Sequence, residues 1–123
     1  VATYQTLQQN GILLDQFTDE ATGLRIAVNR TGAEMVSIAR RDASGNWRGF
    51  LYRDGVTAPP AEGWANHATV MGYFLHRLWK EQSVYRGTVI HGGNHGFLRH
   101  LEFAAPEVRG DSLIYRVPAD RIP

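Results

Sequence analysis

Apolar and polar residues alternate with a period of two through much of the first half of the chain. After Gly23 the segment Leu24-Arg25-Ile26-Ala27-Val28-Asn29 alternates, and Ala33-Glu34-Met35-Val36-Ser37-Ile38-Ala39-Arg40 does so again over eight residues. This period places successive side chains on opposite faces of a strand with one wet side. Arg30-Thr31-Gly32 supplies the first turn, and Asp42-Ala43-Ser44-Gly45-Asn46 has the Asp, Ser, Gly and Asn chemistry of the second. A third strand is expected from Trp47 to Arg53. Short strands joined by tight turns predict an antiparallel meander, because a parallel unit would need crossover helices. Residues 1–22 are mostly polar around Ile12-Leu13-Leu14, and predict one short edge strand.

The second half is less regular. Residues 54–66 contain Gly55, Pro59, Pro60 and Gly63, and form a loop, since paired prolines suit neither a central strand nor a helix interior. From Ala68 to Trp79, Met71, Phe74, Leu75 and Leu78 fit a helical stripe, whereas Gly72 and the Tyr73-Phe74 pair oppose it; the segment is read as extended. Lys80 to Gly87 predicts a hairpin arm that turns at Arg86-Gly87 into Thr88-Val89-Ile90. Leu101-Glu102-Phe103 and 113–117 are further strands, with a turn near Arg109-Gly110-Asp111. The pattern predicts an all-β chain, an antiparallel β-sandwich in one domain spanning residues 1–123. No internal repeat or low-complexity segment interrupts it.

Composition narrows the functional classes. The 123 residues suffice for one core without staples, and 43% hydrophobic with 20% charged residues is globular rather than disordered. Thirteen basic and twelve acidic side chains give a net charge of +1 with no long run of either sign, which argues against nucleic acid or an anionic membrane as partner. There is no cysteine, so no disulfide framework or thiolate nucleophile is available. The absence of cysteine fits a reducing compartment and also allows a periplasmic protein, and the cytoplasm is the expected compartment. Apolar runs are far shorter than the roughly 20 residues of a membrane-spanning helix.

The candidate chemistry concentrates in residues 91–103, which hold three of the five histidines. His91 and His95 are four apart, as in helical zinc sites, but Gly92, Gly93 and Gly96 disfavour a helix. In an extended segment His91, His95 and His100, with Glu102, could still form a metal site, and the alternative is a set of turn histidines bonded to backbone. No serine occupies a strained Gly-x-Ser-x-Gly turn, and the glycines of 92–96 are not followed by a phosphate-binding helix. Aromatic residues with basic neighbours, Trp47-Arg48, Tyr52-Arg53 and Arg77-Leu78-Trp79, suit stacking on sugar rings, which present C–H faces ringed by hydroxyls. Each such pair also suits the edge of a core.

The segment from Met71 to Phe103 resembles the aldose 1-epimerase, or galactose mutarotase-like, family. Arg77 precedes His95 by eighteen residues, Tyr85-Arg86-Gly87 lies between them, and His95-Gly96-Phe97-Leu98-Arg99 matches a His-Gly-Phe-x-Arg motif. Gly32 to Ile38 is similar to an early strand of the family, and Leu51-Tyr52-Arg53-Asp54 with Trp64 to the segment leading into its site. The resemblance covers residues 23–117, corresponding to the N-terminal part of the family's domain. It implies a galactose mutarotase-like supersandwich, partial or shortened, which binds a monosaccharide or sugar phosphate.

Residue by residue, the resemblance implies Arg77 and His95 as ligands of sugar hydroxyls, Arg99 as a support for the loop, and Trp64 near the site. His91-Gly92-Gly93 also matches a His-Gly-Gly found in some members, so either His91 or His95 is the binding histidine. His76 stands where Gly or Asn is usual, and Gly72-Tyr73 replaces a common Phe-Pro. Mutarotation needs a base at the anomeric hydroxyl and an acid at the ring oxygen. In the family these are a glutamate and a second histidine downstream of the motif, and neither is expected within these residues. The catalytic residues are therefore unassigned, no cofactor is implied, and a homodimer or a complementary C-terminal segment is the expected partner.

Overall fold

A computed structural model describes residues 2–51 and 66–121. Five strands form one antiparallel meander: β1 (Ala2–Gln9), β2 (Ile12–Asp19), β3 (Leu24–Asn29), β4 (Glu34–Arg41) and β5 (Trp47–Gly49), hydrogen-bonded in chain order. Two ribbons follow, β6 (Gln82–Tyr85) with β7 (Thr88–His91), and β8 (Glu107–Arg109) with β9 (Ser112–Ile114). Every strand pairing is antiparallel, and short 3₁₀ turns are the only helical elements among the described residues. The all-β antiparallel expectation holds.

The largest local difference is at the start. Residues 2–19 form a hairpin of two eight-residue strands rather than one edge strand, turning at Asn10 and Gly11, both with positive φ. Asn-Gly is the preferred pair for such a turn. The third strand is shorter than Trp47–Arg53, ending at Gly49, and residues 101–103 make a single bridge from Glu102 to Thr31 rather than a strand. Residues 68–78 contain neither helix nor strand, only single bridges at Ala68 and Gly72 and a left-handed backbone at His76, so the segment is irregular rather than an extended strand, and Trp79 opens the 3₁₀ turn Trp79–Glu81. The last strand covers Ser112–Ile114.

Register assigns the sheet two chemically different faces. Tyr4 opposes Phe17, Phe17 opposes Ile26 and Ile26 opposes Ile38, so these aromatic and branched residues share one face. Gln5, Gln16, Ala27 and Ser37 are likewise aligned on the other. At the Asn10–Gly11 end that second face becomes apolar: Leu14, Ala27 and Val36 form a buried cluster with Ile12 against it. Val36 is the extra residue of an irregularity in the β3–β4 register and is 2% exposed.

On the first face the fully buried Asp15 carboxylate gathers donors from three distant segments. Tyr4 Oη donates to Oδ1 at 2.6 Å, Tyr115 Oη to Oδ2 at 2.7 Å, and Thr6 Oγ1 to Oδ1 at 3.3 Å. Arg30 adds Nε at 3.1 Å and a second guanidinium nitrogen at 3.0 Å. Burial pushes the Asp15 carboxyl up, but the hydrogen bonds from Arg30, Tyr115 and Tyr4, with the Arg30 charge, outweigh it and hold it below the usual range. Burial and the bond to Asp15 push the Tyr115 phenol up. This network fastens residues 112–117 to the sheet, and Phe103 meets the Tyr115 ring edge-on at 6.1 Å.

The β3–β4 turn holds the chain that follows the histidine segment. Gly32 N–H donates to Leu101 O at 2.7 Å, and Phe103 N–H donates to Arg30 O at 2.9 Å. A Cβ at Gly32 would lie 2.7 Å from Arg99 O, so this approach requires glycine. Residues 66–69 dock on β4 by another route: Ala68 bridges Met35, Thr69 Oγ1 donates to Glu34 Oε2 at 3.2 Å, and His67 Nδ1 lies 3.7 Å from Glu34 Oε1.

Candidate functional site

Residues 72–81 and 92–97, distant in sequence, are laced together at three levels. Gly72 pairs with Gly96: Gly72 N–H donates to His95 O at 3.1 Å, and Phe97 N–H returns to Gly72 O at 2.9 Å. His95 N–H donates to His76 O at 2.8 Å, while His76 N–H donates to the His95 ring at Nδ1, 3.0 Å. Gly92 N–H donates to Glu81 O at 3.0 Å. The glycines permit these contacts. A Cβ on Gly96 would lie 1.8 Å from Gly72 O, and one on Gly92 would lie 2.9 Å from the Phe74 ring.

The exchange between His76 and His95 fixes chemistry as well as geometry. Both residues adopt positive φ, 64° and 63°, and their rings lie 6.1 Å apart. Because Nδ1 of His95 accepts a backbone N–H, the neutral imidazole carries its proton on Nε2. His95 therefore presents a hydrogen-bond donor at its far end. Half-buried, it is held from two sides while that edge stays within reach of solvent.

Around the clasp, Arg77 follows His76 directly and is exposed. Tyr73 is 53% exposed and packs edge-on against Phe97 at 5.2 Å, which leaves an aromatic surface beside the histidines. Trp79, in the 3₁₀ turn Trp79–Glu81, is 83% exposed. Each of these groups is of a kind that meets a hydroxylated ring, an indole or phenol at its C–H faces and a guanidinium or imidazole N–H at its hydroxyls, and the contacts that join them are those of His76 with His95 and of Tyr73 with Phe97.

The expected site residues are distributed unevenly. His95 lies at the centre of the clasp, and Arg77 lies beside His76 on the facing segment. His91 is exposed at the end of β7 opposite Gln82, separated from His95 by Gly92-Gly93-Asn94. Arg99 lies in the 3₁₀ turn Leu98–His100, with its Nε buried and without a hydrogen-bond partner, while its carbonyl lies against Gly32. His100 is exposed, and Glu102 is engaged through its backbone with Thr31. Trp64, like Tyr52, Arg53 and Asp54, lies outside the described residues. Among the described residues no three His, Asp or Glu side chains gather at one point, so the His91, His95 and His100 alternative acquires no ligand set.

The pairing of Trp47 with Arg48 requires correction. Neighbours on a strand point to opposite faces, and Arg48 Nε instead donates to Asp42 Oδ2 at 3.0 Å. Trp47 stacks with Arg25 and Arg41, whose guanidinium carbons lie 4.3 and 4.7 Å from its ring centre. Strand register could have revealed this association; adjacency along the chain could not. His76 is a positioning group that its residue type alone does not announce. Its signal is the left-handed backbone of a non-glycine residue, which sequence reading does not reveal.

No protein-family model matches the chain significantly, and neither does any curated protein or solved structure.

Proposed function

We propose that the chain is a carbohydrate-binding protein of the aldose 1-epimerase type, with the clasp between residues 72–81 and 92–97 as one wall of the sugar site. The observation that supports this reading most is the tautomer of His95. With Nδ1 taken by the His76 backbone, His95 offers Nε2–H to a sugar oxygen, Arg77 offers further donors, and Tyr73 and Trp79 offer stacking surfaces. The ligand is a monosaccharide or sugar phosphate.

In this reading the clasp binds and orients the ring, and His95 is a donor rather than a base. Opening the ring requires a base at the anomeric hydroxyl and an acid at the ring oxygen. These are assigned to groups supplied by another segment or a partner copy, so that anomer interconversion depends on a completed site. The β6–β7 ribbon suits such a partner: it is two-stranded, and Val84 and Val89, paired across it, are 66% and 51% exposed. Isolated ribbons of this kind need further packing for stability.

Titration with D-galactose and D-glucose, followed by amide NMR, tests the reading. Saturable shifts centred on residues 72–77 and 92–97 are expected. Removing one neutral hydrogen bond by His95→Ala should weaken binding by about threefold to tenfold, and Arg77→Ala should weaken it comparably. Unchanged binding in both folded variants would contradict the assignment. Polarimetry of freshly dissolved α-D-glucose separates the two forms of the reading: faster mutarotation than in buffer marks an enzyme, and a buffer-like rate with retained binding marks a non-catalytic sugar binder.

A further inference from the structure

The two edges of the five-stranded meander are built differently. β5, at one edge, is three residues long and carries Arg48, whose exposed side chain is paired with Asp42. Shortness and charge are two of the devices by which a sheet edge avoids pairing with another strand. β1, at the other edge, is eight residues long, and Ala2–Gln9 contains no charged residue, proline or glycine. Every other strand of the meander carries at least one charged side chain, from Asp15 and Asp19 on β2 to Arg48 on β5.

β1 is also held rigidly in place. It pairs with β2 without a shift of register, from Ala2 opposite Asp19 to Gln9 opposite Ile12. In such a pair alternate residues direct both backbone groups to the neighbouring strand, so the residues between them direct N–H and C=O outward. Among the described residues no strand lies against that outer edge. Tyr4 and Thr6 fix the strand further through their bonds to Asp15, while Thr3 and residues 5–9 are exposed. The edge is preformed, so little further ordering accompanies the addition of another strand.

We infer that β1 is a self-association edge, pairing antiparallel with β1 of a second copy about a twofold axis and joining two meanders into one continuous sheet. Symmetry selects the partner. An isologous contact brings each residue close to its own counterpart, which like charges would oppose and an uncharged strand permits. The pleat restricts the register. Side chains alternate between faces, so opposed residues must both be even-numbered or both odd-numbered for the faces of the two sheets to continue. Axes through Gln5 or Thr6 satisfy this with equal overlap. The axis through Gln5 also sets Tyr4 of each copy opposite Thr6 of the other, an aromatic with β-branched pair that occurs twice by symmetry. This edge is distinct from the β6–β7 ribbon and does not depend on the sugar reading.

Sedimentation velocity of the intact chain between about 10 µM and about 1 mM should show a monomer–dimer equilibrium. Backbone hydrogen exchange at the two ends of that range should slow in alternate residues of β1 as concentration rises. Gln5→Lys and Gln5→Glu each set like charges opposite one another and should each weaken the dimer by about fivefold, while an equimolar mixture of the two should regain the parental affinity as a heterodimer. A monomer at every concentration, assemblies that grow beyond the dimer, or slowed exchange in β6–β7 instead of β1 would each overturn the inference. Dimerisation that both charge variants leave unchanged would do so too. The exchange measurement uses the unmodified chain and decides the matter even if a variant fails to fold.

Discussion

Tyr115→Phe removes one oxygen from the protein and tests how the segment beyond the histidines is held to the sheet. Its hydroxyl donates to a carboxylate that is 0% exposed, at 2.7 Å. A hydrogen bond to a buried charge contributes about 1.5–3 kcal/mol. Asp15 keeps Tyr4 and both Arg30 contacts, and the phenylalanine ring still packs against Phe103, so the low end applies, about 1.5–2 kcal/mol. For a chain of this size that corresponds to a fall in Tm of roughly 5–8 °C. Asp15→Asn should cost more, about 3–5 kcal/mol, because it leaves the largely buried Arg30 guanidinium without its counter-charge. In the Asp15→Asn background Tyr115→Phe should cost less than it does alone, since the two share one interaction. Urea melts of the four proteins measure the free energies, and thermal melts measure the change in Tm. A cost below about 0.5 kcal/mol for Tyr115→Phe, near the surface-substitution level, would refute the reasoning.

The same network sets a pH window. Because its partners hold the Asp15 carboxyl below its ordinary value, the stability it contributes is complete above about pH 4 and is lost as pH falls toward the lowered value. The raised Tyr115 phenol contributes stability below about pH 10 that erodes above it; urea midpoints across pH 2–11 should show both limbs, with the alkaline one diminished in Tyr115→Phe. Gly96→Ala should dismantle the clasp, since its Cβ would meet the Gly72 backbone at 1.8 Å; amide shifts across residues 72–97 should change while those of β1–β4 persist. Imidazole nitrogen NMR of the neutral His95 ring should show the proton on Nε2, and a proton on Nδ1 would contradict the bond from His76.

The meander was legible where alternation and turn chemistry agreed. Leu24–Asn29 and the following strand, bounded by Arg30-Thr31-Gly32 and Asp42 to Asn46, appear almost as expected. The initial hairpin is hard to read because its strands look polar: one face carries Thr3, Gln5 and Gln16 along a polar cleft, and the other buries Asp15, an acid that only its distant partners make tolerable. Asn10-Gly11 was the available signal. His95 stood out by composition, but its pairing with His76 depends on left-handed backbone at two histidines, and the approach of Gly72 to Gly96 joins glycines 24 positions apart. Neither contact follows a local period. Adjacency in sequence groups Trp47 with Arg48, whereas the guanidinium groups over its ring are those of Arg25 and Arg41, because side chains that share a sheet face come from neighbouring strands.

Isothermal titration of the chain with D-galactose, run in parallel on His95→Ala, tests the central proposal most directly. The account predicts saturable binding to the parent protein that weakens by about threefold to tenfold when the Nε2–H donor is removed, with the sheet's amide spectrum intact. Saturable binding of equal strength in both proteins, or none in either, would contradict it.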